Sequence, residues 1–279
     1  MKPDLSSARG RSFVVTGANT GIGKATVEAL AAAGARVLVV ARSADKTRPV
    51  IDAIKAAHPD IDIAFQQLDL GNFASIRAGA QAILDSKRPI DVLINNAGLA
   101  GGGGLTDDGL ERTVGTNHFG TWLFTQLVLP RLLESSSPRV VNVASEAHYN
   151  PKSIDFDSFR RPAKGPVGFA EYGVSKLMNV LHANALARLY PSLIAVSLHP
   201  GVVASDVWRE LPTPLRQIAK LFMLDTARGA YTQLFAATSP TIVSGRYYDK
   251  SKAKRTNKLA DDTALQDRLM SVSREITGA

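Results

Sequence analysis

A tyrosine and a lysine four residues apart, Tyr172 and Lys176, are the side chains of this 279-residue chain whose types and spacing point most directly to chemistry. The apolar residues around them (Val174, Leu177, Val180, Leu181, Leu186, Leu189) recur at helical spacing. This predicts a helix from Ala170 to Tyr190 with the pair on one face. A phenol titrates near pH 10, and a neighbouring ammonium favours the phenolate, which draws that value toward neutrality. The pair is thus suited to giving a proton to a carbonyl or taking one from an alcohol. A Tyr-x-x-x-Lys arises readily by chance, so its meaning depends on the elements that would bring it to a ligand.

Those elements begin near the N-terminus. Ser12-Phe-Val-Val-Thr16 is a short apolar run, followed by Gly17-Ala-Asn-Thr-Gly21-Ile-Gly23 and a helical pattern from Ile22 to Ala33. Strand, glycine turn and helix in this order let backbone amides approach a pyrophosphate at the positive end of the helix dipole. Gly34 can end the helix in a left-handed cap, and Arg36 to Ala41 reads as a second strand. At its tip a site for NAD(H) would carry an Asp or Glu for the ribose hydroxyls; this chain carries Arg42-Ser43, with Lys46 one turn on and Asp45 the nearest acid. Arg42 can pair bidentately with a 2′-phosphate, so the sequence favours NADP(H) over NAD(H).

The alternation continues through a helix at about Thr47 to Ala57, a strand Ile61 to Leu68, a helix Ser75 to Asp85 and a strand Ile90 to Asn95. The expected fold class is α/β: a single Rossmann domain over residues 1–279, with a doubly wound parallel sheet of about seven strands and helices on both faces. Ligands on such a sheet sit beyond the carboxyl ends of the strands, where Asp69, Leu70, Asn95, Asn96, Ala97 and Gly98 fall. A helical stretch from about Gly109 to Leu133 carries Asn117-His118 at its middle. A buried Asn there is either satisfied structurally or holds a water for proton transfer. Pro138 to Ala144 reads as a buried strand with the Ser145 hydroxyl at its carboxyl end, and Gly245 to Tyr248 as a final one.

Thr16-Gly17-x-x-x-Gly21-Ile22-Gly23, Asn95-Asn96-Ala97-Gly98, Asn117, Ser145, Tyr172-x-x-x-Lys176 and Pro200-Gly201 occur in the order and approximate spacing of the short-chain dehydrogenase/reductase family. The chain resembles that family from about Ser12 to Tyr248. The wording of the glycine turn, of Val141-Asn-Val-Ala-Ser145 and of His199-Pro-Gly-Val-Val203 is most similar to its retinol dehydrogenase-like and carbonyl reductase-like members.

The resemblance implies a mechanism. Tyr172 would be the acid or base, Lys176 would lower its pKa and hold the nicotinamide ribose, Ser145 would bond the substrate oxygen, and Asn117 would hold a water linking Lys176 to solvent. Hydride transfer belongs to the nicotinamide, so the protein contributes positioning and electrostatics. It also implies cofactor contacts at Gly17, Asn19, Thr20, Ile22, Arg42, Asp69, Leu70 and Asn96, and at Ser205, where relatives often place a Thr for the carboxamide. Relatives are commonly dimers or tetramers, which implies a homodimer or homotetramer here unless the insertion described below leaves the chain monomeric.

Two departures from the family qualify this. Ser145 and Tyr172 lie 27 positions apart where many members have about 13. The difference implies an insertion at about 146–169, expected to cap the substrate pocket or to cover a helix face used for dimerisation, the other reading being a solvated excursion. Residues 202–225, the family's substrate-binding segment, hold Trp208, Leu211, Phe222, Met223 and Leu224, which points to an apolar or bulky alcohol or carbonyl. The second departure is at the N-terminus: Met1 to Ser12 is polar and lacks the apolar anchor of microsomal retinoid enzymes, so a cytoplasmic protein is expected.

Composition bounds the alternatives. The 45% hydrophobic content suits a large core, and the absence of cysteine excludes disulfides and thiol chemistry. No apolar run approaches a membrane span. The net charge of +8 does not mark a nucleic-acid binder: the one dense basic run, Lys250 to Lys258, lacks interleaved aromatics and reads as a solvated tail. His58 and His182 have no metal-ligand spacing, and no metal is expected. The other reading open to the sequence is a regulatory or scaffold protein that binds a cofactor on the same fold. Against it stands the intact set of Ser145, Tyr172, Lys176 and Asn117, which a binder would not need.

Overall fold

The computed structural model describes residues 2–101, 103–163, 168–201 and 226–279. Seven β-strands run parallel: β1 (Ser12–Thr16), β2 (Arg36–Ala41), β3 (Ile63–Gln67), β4 (Val92–Asn95), β5 (Arg139–Val143), β6 (Ile194–His199) and β7 (Tyr247–Asp249). An antiparallel eighth, β8 (Lys252–Lys254), completes the order β3-β2-β1-β4-β5-β6-β7-β8. The chain steps outward from β1 to β3 and then returns to lay β4 on β1's other side. The winding therefore reverses between β1 and β4, the place where an open parallel sheet leaves a crevice.

The strands of the centre are buried on both faces, β1, β4 and β5 without exception, which requires helices above and below. Helices α1 (Gly21–Ala32), α2 (Ala44–Ala57) and α7 (Thr226–Thr238) close one face through Val27, Leu30, Ile54 and Leu234. On the other lie α3 (Phe73–Asp85), α5 (Thr121–Leu133) and α6 (Phe169–Leu189), with Ile76, Ile83, Phe124, Val128 and Leu186 inward. A last helix, α8 (Thr263–Thr277), packs across α5 and α6 with Leu269 and Met270 buried.

The helix expected from Gly109 begins later and is not uniform. A single turn α4 (Arg112–Val114), N-capped by the Glu111 carboxylate at 2.8 Å from the Val114 amide, runs into a π turn over Gly115–Gly120 and then into α5. The π turn is bracketed by glycines at contacts no side chain would permit. A Cβ at Gly120 would lie 1.9 Å from the Leu70 carbonyl oxygen, and one at Gly115 would lie 2.6 Å from Thr106 Cγ2.

The Lys250 to Lys258 run is not a free tail. Lys250 and Ser251, both in the left-handed region (φ +50° and +61°), form the two-residue turn between β7 and β8, and Lys254 pairs with Asp249 at 2.7 Å. Nor is the stretch after Ser145 a solvated excursion. Asn257 donates to the carbonyls of His148, Tyr149 and Pro151, and Phe159 packs edge-on against Phe119. Because Ser251 holds a backbone conformation that costs an L-residue about 1 kcal/mol, Ser251→Gly is expected to stabilise the protein by up to that amount in urea unfolding. A loss of stability would show that the turn is not strained.

Candidate active site

The crevice at the β1/β4 reversal opens as a groove of about 770 Å³. Its floor is built from the carboxyl ends of the strands, so each strand delivers its next residues into it. Thr16 ends β1 and Gly17 follows it, Arg42 and Ser43 follow β2, Leu68 to Gly71 follow β3, Asn96 to Leu99 follow β4, Ala144 and Ser145 follow β5, and Pro200 and Gly201 follow β6. Asn19, Thr20, Gly21, Ile22, Gly23, Tyr172 and Lys176 line it too, so the structure gathers the sequence-predicted residues into one groove, with three exceptions. Asn95 is buried in the core against Thr125 and Asn142, Asn117 lies behind the wall, fully buried, and Ser205 lies outside the described residues.

At one end α6 presents Tyr172 and Lys176, which are only 6% and 4% exposed. The Lys176 ammonium donates to the Val143 carbonyl at 2.9 Å and sits 5.6 Å from the centre of the Tyr172 ring. Gly98 makes room for it, since a Cβ there would come within 3.2 Å of Lys176 Nζ. Ser145, two residues past β5 and in extended conformation, caps the following 3-10 turn, accepting from the Ala147 amide, and its hydroxyl hydrogen-bonds the Tyr172 phenol. Burial dominates the electrostatics of this corner. It pushes the Tyr172 phenol above its usual value, against the smaller lowering effect of Ser145, and pulls Lys176 down to about 8. The sequence-based expectation that the phenol is drawn toward neutrality is therefore not met in this state; desolvation outweighs the lowering by Ser145.

Asn117 closes the corner from behind. Its amide pairs with the Leu99 main chain in both directions, at 2.8 Å each, and donates to Ser175 Oγ at 3.0 Å, which in turn donates to the Tyr172 carbonyl. Asn117 is thus structurally satisfied, and its side chain ties the loop after β4 to the first turns of α6.

At the other end the glycine turn is close-packed on its protein side. A Cβ on Gly17 would meet Ala97 at 2.8 Å and one on Gly23 would meet the Asn96 amide at 2.5 Å, while Asn96 donates to the Thr16 carbonyl. Arg42 and Lys46 stand exposed at the tip of β2 and the start of α2, and no carboxylate lies within ion-pair distance of either among the described residues. A glycine turn opening a helix, with two unpaired cations one strand away, fits a dinucleotide that carries an additional phosphate.

Other groove residues carried no signal of their own in the sequence. Glu146, Asn150 and Phe169 come from the segment following Ser145, and His199 from the last position of β6. His199 Nε2 lies 3.8 Å from the Glu146 carboxylate, and His148, fully buried, shares a 2.6 Å hydrogen bond with the Ser145 carbonyl. Their signal was positional: residues next to Ser145 or at a strand's carboxyl end line the crevice.

Because Lys176 titrates lower in the folded chain than in the unfolded one, the unfolded state binds more protons between pH 8 and 10.5 and stability rises across that window. Below about pH 8 the full cost of burying the ammonium is present. Lys176→Met is accordingly expected to exceed the wild type in stability near pH 7 by about 1–3 kcal/mol, the gap closing toward pH 10.5. Urea unfolding at both ends of the window checks this, and a gap that widens with pH would contradict it.

Comparison with known proteins agrees with this geometry. The family profile described as short chain dehydrogenase matches residues 11–155. Retinol dehydrogenase 12 of Mus musculus is 37% identical over 276 residues, covering 96% of this chain and 87% of its own length. Dehydrogenase/reductase SDR family member 13 of Bos taurus is 37% identical over 98% of this chain and 75% of its own length. A crystal structure of an uncharacterised Mycobacterium paratuberculosis protein superposes with a TM-score of 0.79 at 28% identity, covering 100% of this chain and 98% of that one. On the strength of these matches along almost its whole length, the chain belongs to the short-chain dehydrogenase/reductase family of oxidoreductases, where it is similar to the retinol dehydrogenase-like members.

Proposed function

We propose that this protein is an NADP(H)-dependent oxidoreductase interconverting an alcohol and a carbonyl on an apolar or bulky small-molecule substrate. The observation that carries the reading is the convergence of Ser145, Tyr172 and Lys176 at one end of a groove whose other end holds the glycine turn and the unpaired Arg42 and Lys46. When bound, the nicotinamide supplies or accepts the hydride. This chain's residues do the rest. Ser145 holds the substrate oxygen beside Tyr172, which gives that oxygen a proton in reduction or removes one in oxidation. The raised pKa keeps the phenol protonated at neutral pH, which suits the reductive direction. Lys176, within reach of the ring, stabilises the phenolate that forms and positions the ribose.

Gly17, Asn19, Thr20, Gly21, Ile22 and Gly23 take the pyrophosphate in this reading, and Asp69, Leu70, Asn96, Ala97 and Gly98 flank the nucleoside halves. Arg42 and Lys46 select the 2′-phosphate. Ser205 would meet the carboxamide. Leu99, Leu105, Ala147 and Phe169 offer apolar contact at the substrate end, and the apolar side chains of 202–225 would complete it. A protein that merely senses the cofactor would have no use for the Ser145–Tyr172 hydrogen bond beside a buried ammonium.

NADPH oxidation across a panel of apolar aldehydes, ketones, steroids and diketones tests the reading. Tyr172→Phe is expected to lower turnover by about a thousandfold or more while leaving NADPH affinity within a few-fold. Equal turnover would remove Tyr172 from the chemistry. Arg42→Glu is expected to weaken NADPH at least tenfold and to leave NADH nearly unaffected; a parallel loss of both would show that Arg42 does not read the 2′-phosphate.

A further inference from the structure

Asn117 and His118 are neighbours in the π turn with opposite commitments. Asn117 holds Leu99 and Ser175 on the groove side. His118, fully buried, shares a 3.0 Å hydrogen bond through Nε2 with Ser273 Oγ of α8, and its Nδ1 has no hydrogen-bond partner among the described residues. Burial, reinforced by the nearby His182 ring at 6.1 Å, holds its pKa well below the usual imidazole range, so the ring stays neutral. Ser273 is thus the hydrogen-bond partner that fixes the ring.

A π turn is a rare register, kept by its surroundings. Here the surroundings are Gly115 against Thr106, Gly120 against the Leu70 carbonyl, Asn117 on one side and His118 on the other. Resetting the turn toward α-helical register would rotate Asn117 away from Leu99 and Ser175, and Ser175 holds the main chain of Tyr172. Hydrogen bonds and chain connectivity thus run from α8 to the tyrosine: Ser273 to His118, along one peptide bond to Asn117, then Ser175 and Tyr172. Met270, three residues before Ser273 on the same helix, accepts from the Trp122 indole instead and contacts no member of this path by hydrogen bond.

We propose that Ser273 is a positioning residue for the reaction, holding His118 so that the π turn keeps Asn117, and through it Ser175 and the main chain of Tyr172, in reacting geometry. The C-terminal helix then sets the rate of a site it does not touch. This rests on the roles given above to Tyr172 and Lys176.

The test compares Ser273→Ala with Met270→Leu, which removes a buried hydrogen-bond acceptor from the same helix off the path. Amide hydrogen exchange of the protein alone is expected to show faster exchange at 115–120 and 168–176 in Ser273→Ala, and only within α8 and α5 in Met270→Leu. Turnover in Ser273→Ala should fall about tenfold with the NADPH dissociation constant within about twofold, and Met270→Leu should keep both. Ser273→Cys, which keeps the volume and weakens the bond, should show a smaller loss in the same readouts and decides the matter if Ser273→Ala does not fold. Loosening confined to α8, or equal turnover losses in the two variants, overturns the inference. Absence of turnover in the wild type would count against the proposed function instead, and the exchange pattern would still decide the inference.

Discussion

The ammonium of Lys176, buried at 4% exposure with no carboxylate within ion-pair distance among the described residues, is the interaction that the geometry around it has to accommodate. A cation held this way is destabilising unless acceptors and space are arranged for it. The arrangement draws on three elements: the Val143 carbonyl at the end of β5, the missing side chain of Gly98 after β4, and the face of the Tyr172 ring one turn earlier on α6. Gly98 belongs to the unit that begins with β4 and the other two to β5 and the α6 that follows it, so the corner exists only once the central sheet has formed. Local sequence supplies the pair; the sheet supplies its environment.

Polar residues continue that logic into the core behind the groove. Asn95 of β4 donates to Asn142 of β5 and to Thr125 of α5, and Asn142 donates to the Asn179 carbonyl of α6. These strands and helices thus meet through paired amides where most such interfaces use only aliphatics. Apolar packing tolerates small slides between elements, whereas a buried amide is satisfied only in one alignment. The consequence is that α6, and with it Tyr172 and Lys176, is fixed in register against β4 and β5. His182, pulled down to about 3 by burial, is a neutral member of the same layer and has no role as a proton carrier at physiological pH.

How much was legible follows from how local each signal is. The glycine turn, the Tyr172–Lys176 spacing and the cations after β2 are read within one turn or one strand, and the sheet that gathers them follows from alternation alone. The π turn has no such signature, because a shift of one residue in hydrogen bonding leaves the apolar pattern of 109–133 nearly intact; only its two flanking glycines hint at it. β8 is disguised by a turn built from Lys250 and Ser251, residues that rarely adopt left-handed conformation. α8 is broken as an apolar stripe by Gln266, Ser273 and Thr277, all buried, although its Asp262 cap and the left-handed Gly278 mark both ends. The raised phenol of Tyr172 was beyond any reading of neighbours in sequence, since desolvation depends on the whole enclosure and not on the residue four positions away.

The two ends of the groove differ in how they are held, and that difference bears on function. The cofactor end is backbone fitted against backbone and small side chains, with Gly17 on Ala97 and Gly23 on Asn96, so it tolerates little change in shape. At the substrate end the described walls are side chains from the segment after Ser145 and from β6, among them the exposed Phe169 and the Glu146–His199 pair. Side-chain walls can be exchanged without disturbing the sheet, whereas the glycine contacts cannot. On the proposed function, a fold built this way would keep its hydride chemistry while its substrate changes, and the length of the segment after Ser145 is where this chain differs most from the spacing of many family members.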